Sequence, residues 1–160
     1  MNLRSPETSF LGSHINKIDQ KGRVAAPADF RRALDGDPIR GFYAYRSLRG
    51  PFLECGGGDL IMQFKRMTVE LDPYGEDCDA LEAHIFGDMR PLAFDTEGRV
   101  VIPEAFKAHA QLKERVLFQG RGETFHILAA DGAEERLAAT RERASEALRR
   151  LRAPKGGSAP

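Results

Sequence analysis

The sequence is poor in the residues and segments that several specialised classes of protein need. It contains two cysteines in 160 residues, Cys55 and Cys78. They form no Cys-x-x-Cys pair, which fits a reducing compartment and disfavours a disulfide-stabilised secreted domain. We expect both to be small, partly buried side chains.

Long apolar runs are also missing. No stretch of roughly 18 apolar residues occurs, and the polar segment 1–9 has no apolar core of the kind found in a signal peptide. The sequence therefore gives no support for export or for a membrane span, and we expect a cytoplasmic protein.

The usual arrangements of catalytic and metal-binding residues are absent as well. No Ser-His or Cys-His arrangement is recognisable, and the four histidines lack metal-ligand spacing. They are His14, His84, His109 and His126. The one enzymatic hypothesis is an acid and base pair formed by Asp19 and Asp95, and nothing else supports it. We predict that the protein is not an enzyme and needs neither cofactor, metal nor small-molecule substrate.

The formal net charge is zero, which argues against a uniformly basic nucleic-acid coat. The charge is unevenly spread, however. Residues 1–50 hold 9 Lys or Arg against 5 Asp or Glu, whereas residues 67–98 hold 1 against 9. A basic first part can bind phosphate while an acidic centre binds a basic surface on another subunit, and solubility alone is the alternative explanation.

The main feature that is present is an internal duplication. Residues 19–30 (DQKGRVAAPADF) recur as residues 95–106 (DTEGRVVIPEAF), with Asp, Gly, Arg, Val, Pro and Phe matched at a constant offset of 76. Asp at the first and Gly at the fourth position indicates a type I turn that is followed directly by Arg. The next residues favour a short strand, and the Pro favours a helix start. Each copy is predicted to be a turn, a strand and a short helix.

The remaining patterns divide the chain into six segments. Aromatic and alternating runs predict hairpins near 42–55 and 116–128, and two helices broken by Pro73-Tyr74-Gly75 connect the repeats. The second repeat is expected to open at Phe86-Gly87. The expected segments are a flexible leader (1–9), repeat 1 (10–58), a helical connector (59–86), repeat 2 (87–132), a C-terminal helix (133–152) and a disordered tail (153–160).

The C-terminal helix carries an apolar stripe, whose members are Leu137, Ala144, Leu148 and Leu151. A helix of this length and composition is unstable alone, so we expect the stripe to be buried on the body or on a neighbouring subunit. We favour the body, because short connections place consecutive elements together.

The Phe10-Leu11-Gly12 element and the two Asp-x-x-Gly-Arg motifs resemble the MraZ family, bacterial regulators built from two swapped-hairpin repeats of the SpoVT-AbrB type. The resemblance covers roughly residues 10–150. It implies an α+β fold in which two AbrB-like β repeats intertwine in one pseudo-symmetric body, with connecting helices and a C-terminal helix. It further implies a ring-shaped homo-oligomer.

By the same resemblance, the protein is a cytoplasmic, nucleoid-associated regulator of transcription that binds double-stranded DNA. The sites are repeats upstream of its own gene, in the division and cell-wall gene cluster. Two departures from the family pattern stand out. The leader before Phe10 is longer than the family's usual start, and Glu97 occupies the position that matches Lys21.

The site residues follow from the turns. Lys21, Arg23 and Arg99 can reach phosphates and base edges, since Arg binds guanine through two hydrogen bonds. Asp19 and Asp95 orient the arginines, and Gly22 and Gly98 complete the turns. Glu97 predicts weaker phosphate binding by the second turn.

Two alternatives to this interpretation remain. Each Asp-Arg pair merely stabilises its own turn, by about 0.5 kcal/mol at an exposed site. Otherwise the protein is an assembly or antitoxin-like module that uses the same fold to bind protein.

Overall fold

The structure is a computed structural model that describes residues 4–152. The predicted tail 153–160 lies outside the described residues. Eight strands and five α-helices follow one another along the described chain. They are β1 (Ser13–Lys17), β2 (Arg23–Ala25), α1 (Ala28–Ala33), β3 (Gly41–Arg46), β4 (Leu53–Gly56), α2 (Gly58–Met67), α3 (Glu76–Asp88), β5 (Arg90–Ala93), β6 (Arg99–Val101), α4 (Glu104–Ala110), β7 (Arg115–Gly120), β8 (Phe125–Ala129) and α5 (Ala133–Arg152).

The main sheet has six antiparallel strands in the order β1-β7-β8-β4-β3-β5. Both predicted hairpins are present, since β3 pairs with β4 and β7 pairs with β8. The outer strands are exchanged, because β1 of repeat 1 pairs with β7 and β5 of repeat 2 pairs with β3. The expected α+β fold with two intertwined β repeats is thus confirmed.

A two-stranded ribbon makes the second exchange between the repeats. Strand β2 pairs with β6, and Val24 lies opposite Val100. The ribbon is extended reciprocally at both ends, because the Ala26 N–H donates to the Gly98 carbonyl at 3.1 Å and the Ile102 N–H donates to the Gly22 carbonyl at 2.9 Å. The carbonyl of each turn glycine therefore accepts a hydrogen bond from the segment that follows the other turn.

The core between the sheet and the short helices is rich in phenylalanine. Phe125 is fully buried, and its ring centroid lies 4.9 Å from that of Phe10, 5.0 Å from Phe30 and 5.1 Å from Phe42. Phe106, the counterpart of Phe30 in the second motif, is also buried. Truncating one such ring to Ala costs roughly 3–5 kcal/mol, so the Phe that closes each sequence repeat anchors its helix to the core.

The connector helices cover a second, smaller apolar cluster. Leu60 and Phe64 of α2 and Ile85 of α3 pack with Tyr45 of the sheet. The helical connector is interrupted between α2 and α3, and Pro73-Tyr74-Gly75 lie in this interruption, as predicted. The expected opening of repeat 2 at Phe86-Gly87 is wrong, however, because these residues belong to the last turn of α3 and the next strand begins at Arg90.

The expectation of a flexible leader needs correction for residues 4–9. Pro6–Thr8 form a short 3₁₀ helix, and the Arg4 side chain is only 7% exposed. Arg4 donates to the Ala33 carbonyl at 2.7 Å and pairs with Asp37 at 3.1 Å. A buried charge needs such partners, and the sequence pattern of the leader alone does not reveal them.

Residues 131–152 form a separate unit that consists mainly of α5. Its apolar stripe is exposed, with 43% of Leu137, 47% of Leu148 and 83% of Leu151 accessible. The expectation that the body or a neighbouring subunit buries this stripe stays a prediction. No helix within residues 4–152 combines the length and apolar character required to cross a membrane.

Candidate nucleic-acid interface

The first motif closes a tight turn at the end of β1. The Gly22 N–H donates to the Asp19 carbonyl at 3.0 Å, and Gly22 has a φ of +82°, which glycine adopts without strain. The Asp19 carboxylate completes the turn, since Oδ1 accepts from the N–H groups of Lys21 and Arg23, each at 2.9 Å. Its Oδ2 accepts from Nε of Arg23 at 2.7 Å. Backbone and side chain of the arginine are thus bound by one carboxylate.

The second motif repeats this geometry almost atom for atom. Asp95 Oδ1 accepts from the N–H groups of Glu97 at 2.8 Å and Arg99 at 2.9 Å, and Oδ2 accepts from Nε of Arg99 at 2.8 Å. Gly98 has a φ of +76°. Both repeats thus have the predicted tight turn, with Asp first and Gly fourth, closed by a hydrogen bond from the Gly N–H to the Asp carbonyl.

Both aspartates are set to remain ionised. The pKa of Asp19 is lowered chiefly by the backbone N–H of Arg23, and the pKa of Asp95 chiefly by that of Arg99. Desolvation opposes the shift in both cases. These carboxylates act as hydrogen-bond acceptors within the turns.

The ribbon brings the two arginines to one face. Arg23 lies opposite Val101, and Arg99 lies opposite Ala25, so these four residues share a face of the antiparallel pair. Val24 lies on the other face and is 1% exposed. The side chains of Arg23 and Arg99 are 33% and 30% exposed, respectively. A single surface therefore carries both predicted site arginines.

Comparison with known proteins assigns the chain to a family. The "Transcriptional regulator MraZ" of Rickettsia peacockii (strain Rustic) is 38% identical over 143 residues, which are 89% of this chain and 96% of that protein. The chain belongs to the MraZ family of transcriptional regulators. The MraZ of Rickettsia akari (strain Hartford) is 37% identical over 137 residues, 86% of this chain and 92% of the relative. No family model matches the sequence.

The two turns of this MraZ-family chain differ in charge. In the second turn, Glu97 Oε2 lies 3.1 Å from Nη2 of Arg99. In the first turn, Lys21 stands at the equivalent position and is exposed. Within residues 4–152, the only carboxylate that pairs with Arg23 is that of Asp19, and the hydrogen bond is made by Nε. Arg23 thus pairs with one carboxylate and Arg99 with two, which leaves Arg23 more able to bind an external acceptor.

One cation near the second turn escaped the sequence-based assignment. Arg31 of α1 packs so closely on Gly98 that a Cβ on this glycine would overlap its guanidinium. Arg31 lies in the last turn of α1, where a cation suits the helix dipole. The exchange between the repeats places it beside a turn that is distant along the chain.

The described residues offer no alternative metal centre. No group of three or more His, Cys, Asp and Glu side chains within residues 4–152 is arranged to hold a metal ion.

Proposed function

We propose that this chain is a sequence-specific DNA-binding regulator of transcription. The observation that carries the proposal is the shared face of the β2-β6 ribbon, where Arg23 and Arg99 are each oriented by an aspartate. A held arginine loses less entropy on binding, and it can reach both phosphates and the edge of guanine. Membership of a family of transcriptional regulators supports the same function.

The roles within the interface follow from the contacts. Arg23 provides the principal contact to DNA, Lys21 contacts phosphate, and Arg99 makes a weaker contact because Glu97 competes for its guanidinium. Asp19 and Asp95 position the arginines, and Gly22 and Gly98 allow the turn geometry.

One subunit presents few cations, so useful affinity requires several subunits that bind repeated sites together. We therefore propose a homo-oligomer, ring-shaped as in the expectation from the family, that binds repeats upstream of its own gene in the division and cell-wall gene cluster. Such a protein acts in the cytoplasm and associates with the nucleoid.

A second function, as a module that assembles with proteins, is favoured by the exposed stripe on α5. An unpaired apolar stripe on a helix of 20 residues suits a protein partner. This function does not require the arginines of the ribbon.

The test is a mobility shift with the DNA upstream of the gene and with a shuffled duplex of equal length and composition, over a series of salt concentrations. We expect tighter binding to the upstream DNA, and affinity that falls steeply with salt on both duplexes. Equal affinity for both duplexes at every salt concentration would contradict sequence-specific binding.

A further inference from the structure

The second turn carries Glu97 where the first carries Lys21, yet a cation from the other repeat lies against it. Arg31 belongs to α1 of repeat 1, and its guanidinium covers Gly98 of repeat 2. The connection is short, because the Ala26 N–H, just before α1, donates to the Gly98 carbonyl at 3.1 Å. The intertwined fold thus places a helix of one repeat on the turn of the other.

The charge of Arg31 has no counter-ion among the described residues. Among residues 4–152 its guanidinium has neither an ion-pair partner nor a hydrogen-bond acceptor. The neighbouring Arg32, by contrast, pairs with Asp29 at 3.2 Å. An unpaired cation that is partly buried against backbone is available to an external anion.

The surroundings of Arg31 leave room for such an anion. A pocket of about 220 Å³ beside the second turn is lined by Arg31, Arg40 and Thr96, among other residues. Asp37 and Asp95 also line it, but they are paired with Arg4 and Arg99. Asp35 is the remaining carboxylate of the lining. Its single negative charge is outnumbered by the positive charges of Arg31 and Arg40.

The first turn has no equivalent of this arrangement. The residue that corresponds to Arg31 in the duplication is Lys107, which lies 3.5 Å from the carboxylate of Glu104. A Cβ on Gly22 would approach the backbone of Ile102 at 3.1 Å and no cation. The first turn therefore has its cation within the turn, at Lys21, whereas the second turn receives one from outside.

We propose that Arg31 binds a DNA phosphate at the second turn and takes the role that Lys21 has at the first. This inference rests on the proposed DNA-binding function. In this arrangement Glu97 weakens DNA binding because it pairs with Arg99, and Arg31 supplies the positive charge that compensates for this loss. Arg40 lines the same pocket and adds positive charge to it.

The test compares neutral variants at Arg31 with matched controls in full-length protein. Arg31→Met and Arg31→Gln remove the charge and keep most of the stem that packs on Gly98. The controls are Arg32→Ala, the adjacent arginine, and Lys107→Ala, the counterpart in repeat 2. Binding to the upstream duplex and to a shuffled duplex is measured over a salt series, and thermal melting checks the fold.

We expect both neutral variants to weaken binding several-fold, by the same factor on both duplexes, because a phosphate contact carries no sequence information. The slope of log affinity against log salt should become shallower by about 0.9 for each subunit that contacts DNA. Arg31→Lys should restore most of the slope, and both controls should match the parent.

A neutral Arg31 variant that melts like the parent and keeps its affinity and slope would overturn the inference. If Arg23→Ala loses binding in that same experiment, only the role of Arg31 is wrong. If Arg23→Ala also binds like the parent, the proposed interface itself is wrong.

Discussion

The Oε2 atom of Glu97 lies 3.1 Å from Nη2 of Arg99, in a turn whose counterpart carries Lys21. We expect Glu97→Lys to tighten DNA binding, since it frees Arg99 and adds a cation to the same surface. Its slope of log affinity against log salt should be steeper than that of the parent. Glu70→Lys, the same charge change at an exposed position in the connector, is the control. Equal gains in the two variants would mean that net charge, and not this turn, determines the effect.

The Arg4 cluster predicts an effect on stability. Arg4 lies 3.1 Å from Asp37 and 2.8 Å from Asp59, although within residues 4–152 its Nε makes no hydrogen bond. We expect Arg4→Ala to lower the free energy of unfolding by about 1–3 kcal/mol, less than for a fully buried pair because the aspartates keep some exposure. Urea unfolding measures the change.

The control for Arg4 is Arg32→Ala, whose pair with Asp29 is mostly exposed and should contribute less than about 1 kcal/mol. If the two variants unfold at the same urea concentration, the leader contributes nothing to the fold.

His126 predicts a dependence of stability on pH. His126 is 5% exposed, and its ring stacks on that of Phe52 with centroids 4.4 Å apart. Burial lowers the pKa of His126 from 6.5 to about 4, Arg121 acts in the same direction, and Glu54 opposes them. The unfolded chain therefore binds a proton first as the pH falls from about 7 to 4, and stability is lost across that range.

Between pH 7 and pH 5 this loss should be about 2 kcal/mol. The measurement is urea unfolding of the parent and of His126→Phe at both pH values. The variant should lose less stability on acidification, by about that amount. Identical losses in both proteins would show that His126 is not the group responsible.

These cases also show how much of the fold the sequence alone can specify. Local chemistry was sufficient for the turns, because Asp19, Gly22 and Arg23 form their contacts within five residues. The hairpins followed from alternation and turn residues. The exchange of β1 and β5 rested on family resemblance, since no local pattern states which distant strand a segment pairs with.

Three features could not be predicted from the sequence, for the same reason. Arg4 and Arg31 gain their roles from partners that are close only in the folded chain, Asp37 and Gly98. The stripe on α5 has the period of a buried face, but periodicity does not say which surface covers it. Leu148 is 47% exposed, and the surface that covers the stripe stays a prediction.

The exposed stripe leads to a prediction about assembly. We expect Leu148→Asp to reduce the size of the homo-oligomer and to weaken binding to repeated sites more than to one site, because avidity needs linked subunits. Ala139→Asp adds the same charge on the opposite face of α5 and is the control. Light scattering that gives both variants the size of the parent would exclude this face from assembly.

The central claim is that Arg23 is the principal contact to DNA and that Arg99 contributes less. The most direct test measures the affinity of the parent, Arg23→Ala and Arg99→Ala for the upstream repeats, with thermal melting as the check on folding. Arg23 and Arg99 each begin a ribbon strand directly after a turn, and their side chains are 33% and 30% exposed, so neither change should disturb the fold. We expect Arg23→Ala to abolish specific binding and Arg99→Ala to weaken it. An Arg23→Ala protein that melts like the parent and binds the repeats as tightly would contradict the account.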